Sequence, residues 1–229
     1  MTELFQIPLF PLVLTLFAYQ LGLLFQRKVR SPICNPILVA VILILSFMAV
    51  TGLDNGTYQS GMGLLSWLMT PATICLAIPM YEQLQVLKRN LWAILTGIIA
   101  GAVGCLVFVP TFALLAGFDR ELTISLLPKS VTSAIGVPLS ELSGGIAAIT
   151  TPAIIITGIL ASVLGSLLCR LFRLTDPIAQ GVALGTSGHV IGTSKANELG
   201  PLTGAVSSLS LVVAGLLTSV IFPLVIRLL

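Results

Sequence analysis

The chain has 229 residues, of which 56% are hydrophobic and 8% charged, with a formal net charge of +3 and a mean hydropathy of +1.10. A soluble domain carries about 25% charged residues, so these proportions exclude a globular surface facing water, and the lack of any lysine- or arginine-rich run excludes nucleic acid as a partner. At about 20 residues per crossing of a ~30 Å hydrocarbon core, the length leaves room for about six to eight helical spans.

The first predicted element, Leu4–Gln26, is uncharged, and Arg27, Lys28 and Arg30 follow it. No basic residue precedes it, so it reads as a retained span and not as a cleaved leader. Ile33–Leu53 is a second uncharged stretch, and residues 1–61 are expected to form an N-terminal scaffold that mediates dimerisation. Met62–Tyr81 is apolar but interrupted by Pro71 and Pro79, and Leu91–Gly117 follows Lys88 and Arg89. These two make a weak first repeat unit over 62–118. Leu142–Cys169 and Leu199–Ile226 complete six candidate spans, each near the length a helix rising 1.5 Å per residue needs to cross.

Two segments depart from this plainness. Leu122–Ser140 reads LTISLLPKSVTSAIGVPLS and carries Lys129 between two prolines. Pro177–Asn197 reads PIAQGVALGTSGHVIGTSKAN, with four glycines, the only histidine (His189) and Lys195. Helix breakers and charge at the midpoints would expose unpaired backbone groups to lipid, which is tolerated only where the backbone is buried in protein or lines a watery cavity. Both segments are therefore read as broken or re-entrant, with full crossing as the alternative. If both re-enter, Arg27, Lys28, Arg30, Lys88, Arg89, Arg170 and Arg173 share one side and only Arg120 and Arg227 lie opposite. By the positive-inside rule the populated side is cytoplasmic.

An internal repeat supports this arrangement. Asp119, Glu141, Gly158, Ser162 and Val163 recur as Asp176, Glu198, Gly215, Ser219 and Val220, each 57 positions later. Units 119–175 and 176–229 would then each hold one re-entrant segment (122–140 and 177–197) and one crossing, and insert with opposite orientation. Inverted repeats with broken helices near the midplane recur among transporters. The expected fold class is an all-α polytopic membrane protein of about six spans, two re-entrant or broken segments and an inverted repeat.

The residues able to act on a ligand lie in the two broken segments. An ammonium at bilayer depth is costly unless paired or hydrated, so Lys129, with Ser130, Thr132 and Ser133, reads as a site for a small organic anion, or else as a lysine that snorkels to the interface or pairs with Glu141. In G-T-S-G-H-V-I-G-T-S-K (185–195), Thr186, Ser187, Thr193 and Ser194 offer hydroxyl donors and Lys195 a second cation. Helix N-termini created by such breaks attract carboxylates. His189 titrates near neutrality and is the candidate for proton coupling, against the plainer reading of a satisfied structural group. The glycine pattern matches no P-loop, no GxSxG elbow occurs, and Cys34, Cys75, Cys105 and Cys169 lack metal spacing. Neither an enzyme, a cofactor nor a metal site is expected.

These motifs, L-P-K-S-V-T (127–132), I-T-G-I-L (156–160), D-P-I-A-Q-G-V-A-L-G-T-S-G-H-V-I-G-T (176–193), E-L-G (198–200) and G-A-V-S-S-L (204–209), closely resemble the LrgB/CidB/YohK family of bacterial membrane proteins. The resemblance covers essentially the whole chain and is weakest over the first two spans. It implies a multi-pass protein of the bacterial cytoplasmic membrane working beside a small LrgA/CidA/YohJ-type membrane partner. It also implies one of two roles: holin/antiholin-like control of murein hydrolase export and autolysis, or small-acid transport of the kind performed by the related plastid glycolate/glycerate translocator and linked to pyruvate in bacterial relatives. Two departures stand out. The family often has Arg where Lys195 stands, which weakens bidentate carboxylate recognition here, and T-S-A-I-G-V-P replaces the family's T-T-P-I-A after the first motif.

Concentration of polarity in two short motifs, with no polar face expected along a whole span, favours a secondary carrier of small monocarboxylates or 2-hydroxy acids over a pore-forming regulator. An elevator-like movement of the repeat units against the N-terminal scaffold follows by analogy with other inverted-repeat carriers.

Overall fold

The computed structural model describes residues 9–29 and 36–228; of Val29 and Thr73 only the backbone is described. The first residues of the expected spans Leu4–Gln26 and Ile33–Leu53, and with them Arg30 and Cys34, lie outside the described residues. Every regular element among the described residues is helical. The chain divides into two compact units, 1–75 and 76–229.

In the first unit, α1 (Phe10–Val29) packs on α2 (Pro36–Thr51). Ala18, Ala40 and Ile44 form the contact, with Met48 and Tyr58 packed against it. Gly22 permits the approach, since a Cβ there would stand 2.6 Å from the Pro36 carbonyl oxygen. The short α3 (Asn55–Ser60) starts at Asp54, whose carboxylate accepts from the Gly56 and Thr57 N–H groups at 2.8 and 3.3 Å, and α4 is Gly63–Cys75. The Tyr58 hydroxyl meets Thr15 Oγ1 at 2.7 Å, tying α3 to α1.

The second unit runs through α5 (Ala77–Glu82), α6 (Leu84–Arg89), α7 (Leu91–Ala116), α8 (Arg120–Leu126), α9 (Ser133–Leu142), α10 (Ala147–Leu171), α11 (Pro177–Leu199) and α12 (Pro201–Ile226). Among the described residues, five stretches are long and apolar enough to cross a membrane: Phe10–Lys28, Gly63–Glu82, Leu91–Ala116, Ala147–Leu171 and Pro201–Ile226. The protein is therefore a multi-pass membrane protein. The expected span Ile33–Leu53 is described only from residue 36 onward. Helix α2 has 16 described residues, all within that stretch. Outward-facing apolar side chains such as Phe108, Leu114 and Leu115 (65, 82 and 82% exposed) fit helices solvated by lipid.

Neither motif segment is a straight helix. Over 119–142 the chain forms α8, breaks across 127–132, and restarts as α9 with Thr132 in an extended conformation at its N-cap. The C-terminal end of α9 comes back beside α8. A Cβ at Gly145 would meet the Ser140, Ile124 and Ser125 side chains together, and Ser125 Oγ accepts from the Ile146 N–H at 2.8 Å.

Over 177–199 the helix breaks at His189 (φ 43°, ψ −134°). The backbone then folds back until the Leu184 carbonyl faces Gly192, a contact only a residue without Cβ allows. Thr203 and Val206, at the start of α12, lie against Gly181, near the start of α11. The segment thus leaves on the side where it entered.

Neighbour contacts set the directions. Gly158, Ala161 and Gly165 of α10 meet His189, Gly188 and Leu184, so α10 runs antiparallel to the first half of α11. Gly97 and Gly101 of α7 meet Val182 and Thr186, so α7 runs parallel to it, as does α12 through the contacts at Gly181 and Gly185. Helix α8 runs against α12, since Arg120 Nη2 donates to the Ile226 carbonyl at 3.4 Å and Phe222 packs with Ile124 and Leu127. The two broken segments therefore enter from opposite ends of the helical unit.

Candidate functional site

The breaks bring the two motifs together. Leu127, Pro128, Ser130 and Val131 at the first break and Thr186 just before the second line a common cavity. Its remaining walls come from Ala102, Cys105 and Leu106 of α7 and from Ala214 and Thr218 of α12. These positions fall near the midpoints of Leu91–Ala116 and Pro201–Ile226, so the meeting point lies halfway along the spans. The cavity is about 10 Å³, room for one water molecule.

Each break follows from local chemistry. Pro128 has no N–H, so the turn at 127–131 closes through Lys129 N–H to the Leu126 carbonyl (3.2 Å) and Val131 N–H to the Pro128 carbonyl (3.2 Å). Thr132 caps α9 without a side-chain hydrogen bond. At the second break His189 is buried and holds a left-handed backbone, a conformation costing roughly 1–3 kcal/mol for a residue with a Cβ. Its ring is held from outside: Nε2 lies 3.0 Å from the Ile154 carbonyl oxygen. The ring fills the notch at Gly158, where a Cβ would stand 2.6 Å from Cε1. The freed His189 carbonyl accepts from Thr193 Oγ1 at 2.9 Å, and Thr193 Oγ1 also meets Ser207 Oγ at 2.9 Å.

The sequence-predicted residues separate into groups. Lys129 is half-buried, and among the described residues its ammonium has neither an ion-pair nor a hydrogen-bond partner. It sits at the tip of the first break but does not line the cavity, and it does not pair with Glu141. Ser130 Oγ is 3.2 Å from Cys105 Sγ inside the cavity. Thr186 lines the cavity while its hydroxyl donates to the Val182 carbonyl (2.7 Å), and Ser187, which is exposed, donates to Ala183 (2.6 Å).

Thr193 is buried in its hydroxyl pair, whereas Ser133 and Ser194 are exposed. Lys195 lies six residues past the break and pairs with Glu198 at 2.7 Å. The two cations thus stand differently: among the described residues Lys195 has a carboxylate partner and Lys129 has none.

Sequence reasoning missed the partners supplied by the helices taken as plain. Cys105 and Thr218 complete the cavity, and Ser207 pairs with Thr193. Ser140 meets Thr150 at 2.7 Å in a buried pair. A signal existed. Thr203, Ser207, Ser210, Ala214 and Thr218 recur at helical spacing along α12 and are all buried, a small and polar stripe facing the unit's interior.

Taken together, these features define a class: helical multi-pass membrane proteins in which two broken segments, entering from opposite ends, meet midway along the spans. The LrgB-like family model matches residues 15–228, and the chain belongs to that family. It is similar, at 38% identity over 218 residues and 95% of each chain, to the antiholin-like protein LrgB of Bacillus mycoides (strain KBAB4). No solved structure matches the chain significantly.

Proposed function

We propose that this protein is a secondary carrier of small monocarboxylates or 2-hydroxy acids. One observation carries the reading: two helix breaks converge at mid-span depth, with Lys129, whose ammonium has no partner among the described residues, at the tip of one of them. Insertion scales put a lysine at the centre of a lipid-facing helix at roughly 2.5–3.5 kcal/mol. A bound anion beside the polar break offsets that cost.

Lys129 attracts the carboxylate, and the Ser133 N–H at the uncapped start of α9 adds a donor. Ser130 and Thr186 read the substrate hydroxyl. His189 carries the coupled proton, its ring already joining the second broken segment to α10. Lys195 releases Glu198 to meet substrate as the site opens.

The cavity admits one water, so the site as folded is closed and transport requires separation of the two broken segments. We read units 119–175 and 176–229 as an inverted repeat. In support, the breaks at Thr132 and His189 are 57 positions apart, as are Gly158 and Gly215. Gly158 receives His189 and Gly215 receives Ile135, each from the other unit's broken segment. Alternating access then consists of these units moving against the N-terminal scaffold, in a homodimer or beside an LrgA-type partner. Lys88, Arg89, Arg170 and Arg173 lie at one end of the second unit and Arg120 and Arg227 at the other, which orients the first end to the cytoplasm. No covalent chemistry is assigned.

A second reading is an antiholin-like membrane regulator of murein hydrolase release. The Bacillus relative's name, antiholin-like protein LrgB, favours it over any particular substrate. Uptake of labelled glycolate, glycerate and pyruvate into proteoliposomes separates the two. The carrier reading requires saturable uptake that Lys129→Ala removes. Equal, unselective leakage through both proteins would leave the regulator.

A further inference from the structure

Helix α6 carries a surface with no part in the central site. Leu87, 4% exposed, anchors it to Ile94, Ile98 and Val206. Gln85 with Arg89 and Val86 with Asn90 are each four residues apart, which places all four on one face. They line an open groove of about 520 Å³.

Asn90 spends its Nδ2–H on the Val86 carbonyl at 2.9 Å. Arg89 and the neighbouring, exposed Lys88 have no ion-pair partner among the described residues, and neither does Glu82, the nearest acid along the chain.

The depth of this face is fixed by what adjoins it. The apolar span Leu91–Ala116 starts two residues after Arg89. Tyr81 and Trp92, both 80% exposed, flank α6, as aromatic side chains do at the headgroup level. From Trp92 an outward apolar stripe descends along α7 through Ile99, Val103 and Val107 at helical spacing, 46, 38 and 59% exposed.

We infer that this groove and stripe bind one anionic phospholipid, its phosphodiester on Arg89 and Lys88 and an acyl chain along Trp92, Ile99, Val103 and Val107. A guanidinium can hold two phosphate oxygens at once, and Gln85 adds an amide donor. The apolar stripe leading into the membrane selects a lipid over a free phosphate. Each cation near an anionic surface contributes about a five-fold gain in affinity, so two give about 25-fold.

The chain has two tryptophans, so Trp67→Phe in the full-length protein leaves Trp92 as the sole reporter. Mixed micelles carrying acyl-brominated phosphatidylglycerol or phosphatidylcholine are titrated, and quenching of Trp92 is read. Phosphatidylglycerol is expected to quench at about 25-fold lower mole fraction. Arg89→Gln, on the exposed face away from Leu87, lowers that preference about five-fold, and Lys88→Gln/Arg89→Gln abolishes it. Equal quenching by the two lipids in the wild type, or a preference undiminished in Arg89→Gln, overturns the inference. Displacement of phosphatidylglycerol by millimolar inorganic phosphate would assign the groove to a soluble phosphate and overturn it as well.

Discussion

Gly158→Ala tests whether the second break is held in place by α10. The added methyl would stand 2.6 Å from His189 Cε1, 2.7 Å from Nε2 and 2.9 Å from Ile191 Cδ1. All are far closer than packed atoms tolerate, and the ring cannot yield without losing its 3.0 Å contact with the Ile154 carbonyl. Overpacking costs about 1–3 kcal/mol and the lost hydrogen bond about 1 kcal/mol, while the better helix former returns about 1 kcal/mol. The net loss is about 1–3 kcal/mol. At about 2–4 °C per kcal/mol for a chain of this size, the melting temperature falls by about 2–12 °C.

Gly104→Ala supplies the control, because it lies in the same kind of apolar helix with nothing within 4 Å of its Cβ position. It should melt as the wild type or up to about 4 °C higher. In a His189→Ala background the penalty at Gly158 should largely vanish, a coupling of about 1–3 kcal/mol. Thermal unfolding of the four variants in one detergent measures this. Gly158→Ala melting at or above Gly104→Ala, or an undiminished penalty without the histidine ring, would refute the packing assigned to the break.

Other outcomes follow from the same contacts. Thr193→Val removes the pair with Ser207 and the bond to the His189 carbonyl, and should cost about 1–3 kcal/mol; Ser207→Ala in that background should add little, as a double-mutant cycle in thermal unfolding would read. Lys129→Gln should leave the melting temperature unchanged or raise it, since an unpaired ammonium is removed, while uptake falls more than about ten-fold, equivalent to about 1.4 kcal/mol. Lys195→Gln loses only a partly exposed ion pair with Glu198, worth about 0–1 kcal/mol, so its melting temperature should shift by under about 4 °C. With single cysteines in an otherwise cysteine-free chain, positions 120 and 141 should label from one side of the membrane and 174 and 198 from the other; opposite labelling of 120 and 141 would show that the first segment crosses.

The sequence revealed the breaks better than their surroundings. Pro128 and the charge at Lys129, and the glycines around His189, announce interruption because each violates what a lipid-facing helix requires, and the structure interrupts both segments there. Composition and the run of uncharged stretches likewise announced an all-helical multi-pass chain. What the linear pattern did not give was the pairing between segments. Nothing local to His189 indicates that its ring rests against Gly158 and the Ile154 carbonyl, thirty-one and thirty-five residues earlier.

The two motif lysines looked equivalent in the sequence. Lys195 acquires Glu198 because three residues of helix place them on one face, whereas Lys129 sits in a turn and has no ion-pair partner among the described residues. The stripe from Thr203 to Thr218 was visible at helical spacing. High overall hydropathy hid it, since serine and threonine in a long apolar helix read as minor interruptions when they are the side that packs inward.

The central claim is that substrate crosses by alternating exposure of a closed site holding one anion at a time. Counterflow tests it most directly. Proteoliposomes loaded with unlabelled glycerate are diluted into a trace of labelled glycerate, and internal label is followed with time. A carrier gives a transient accumulation of label above its equilibrium level, and Lys129→Ala gives none. Label that only rises to equilibrium in the wild type, with unrelated solutes entering at the same rate, would contradict the account.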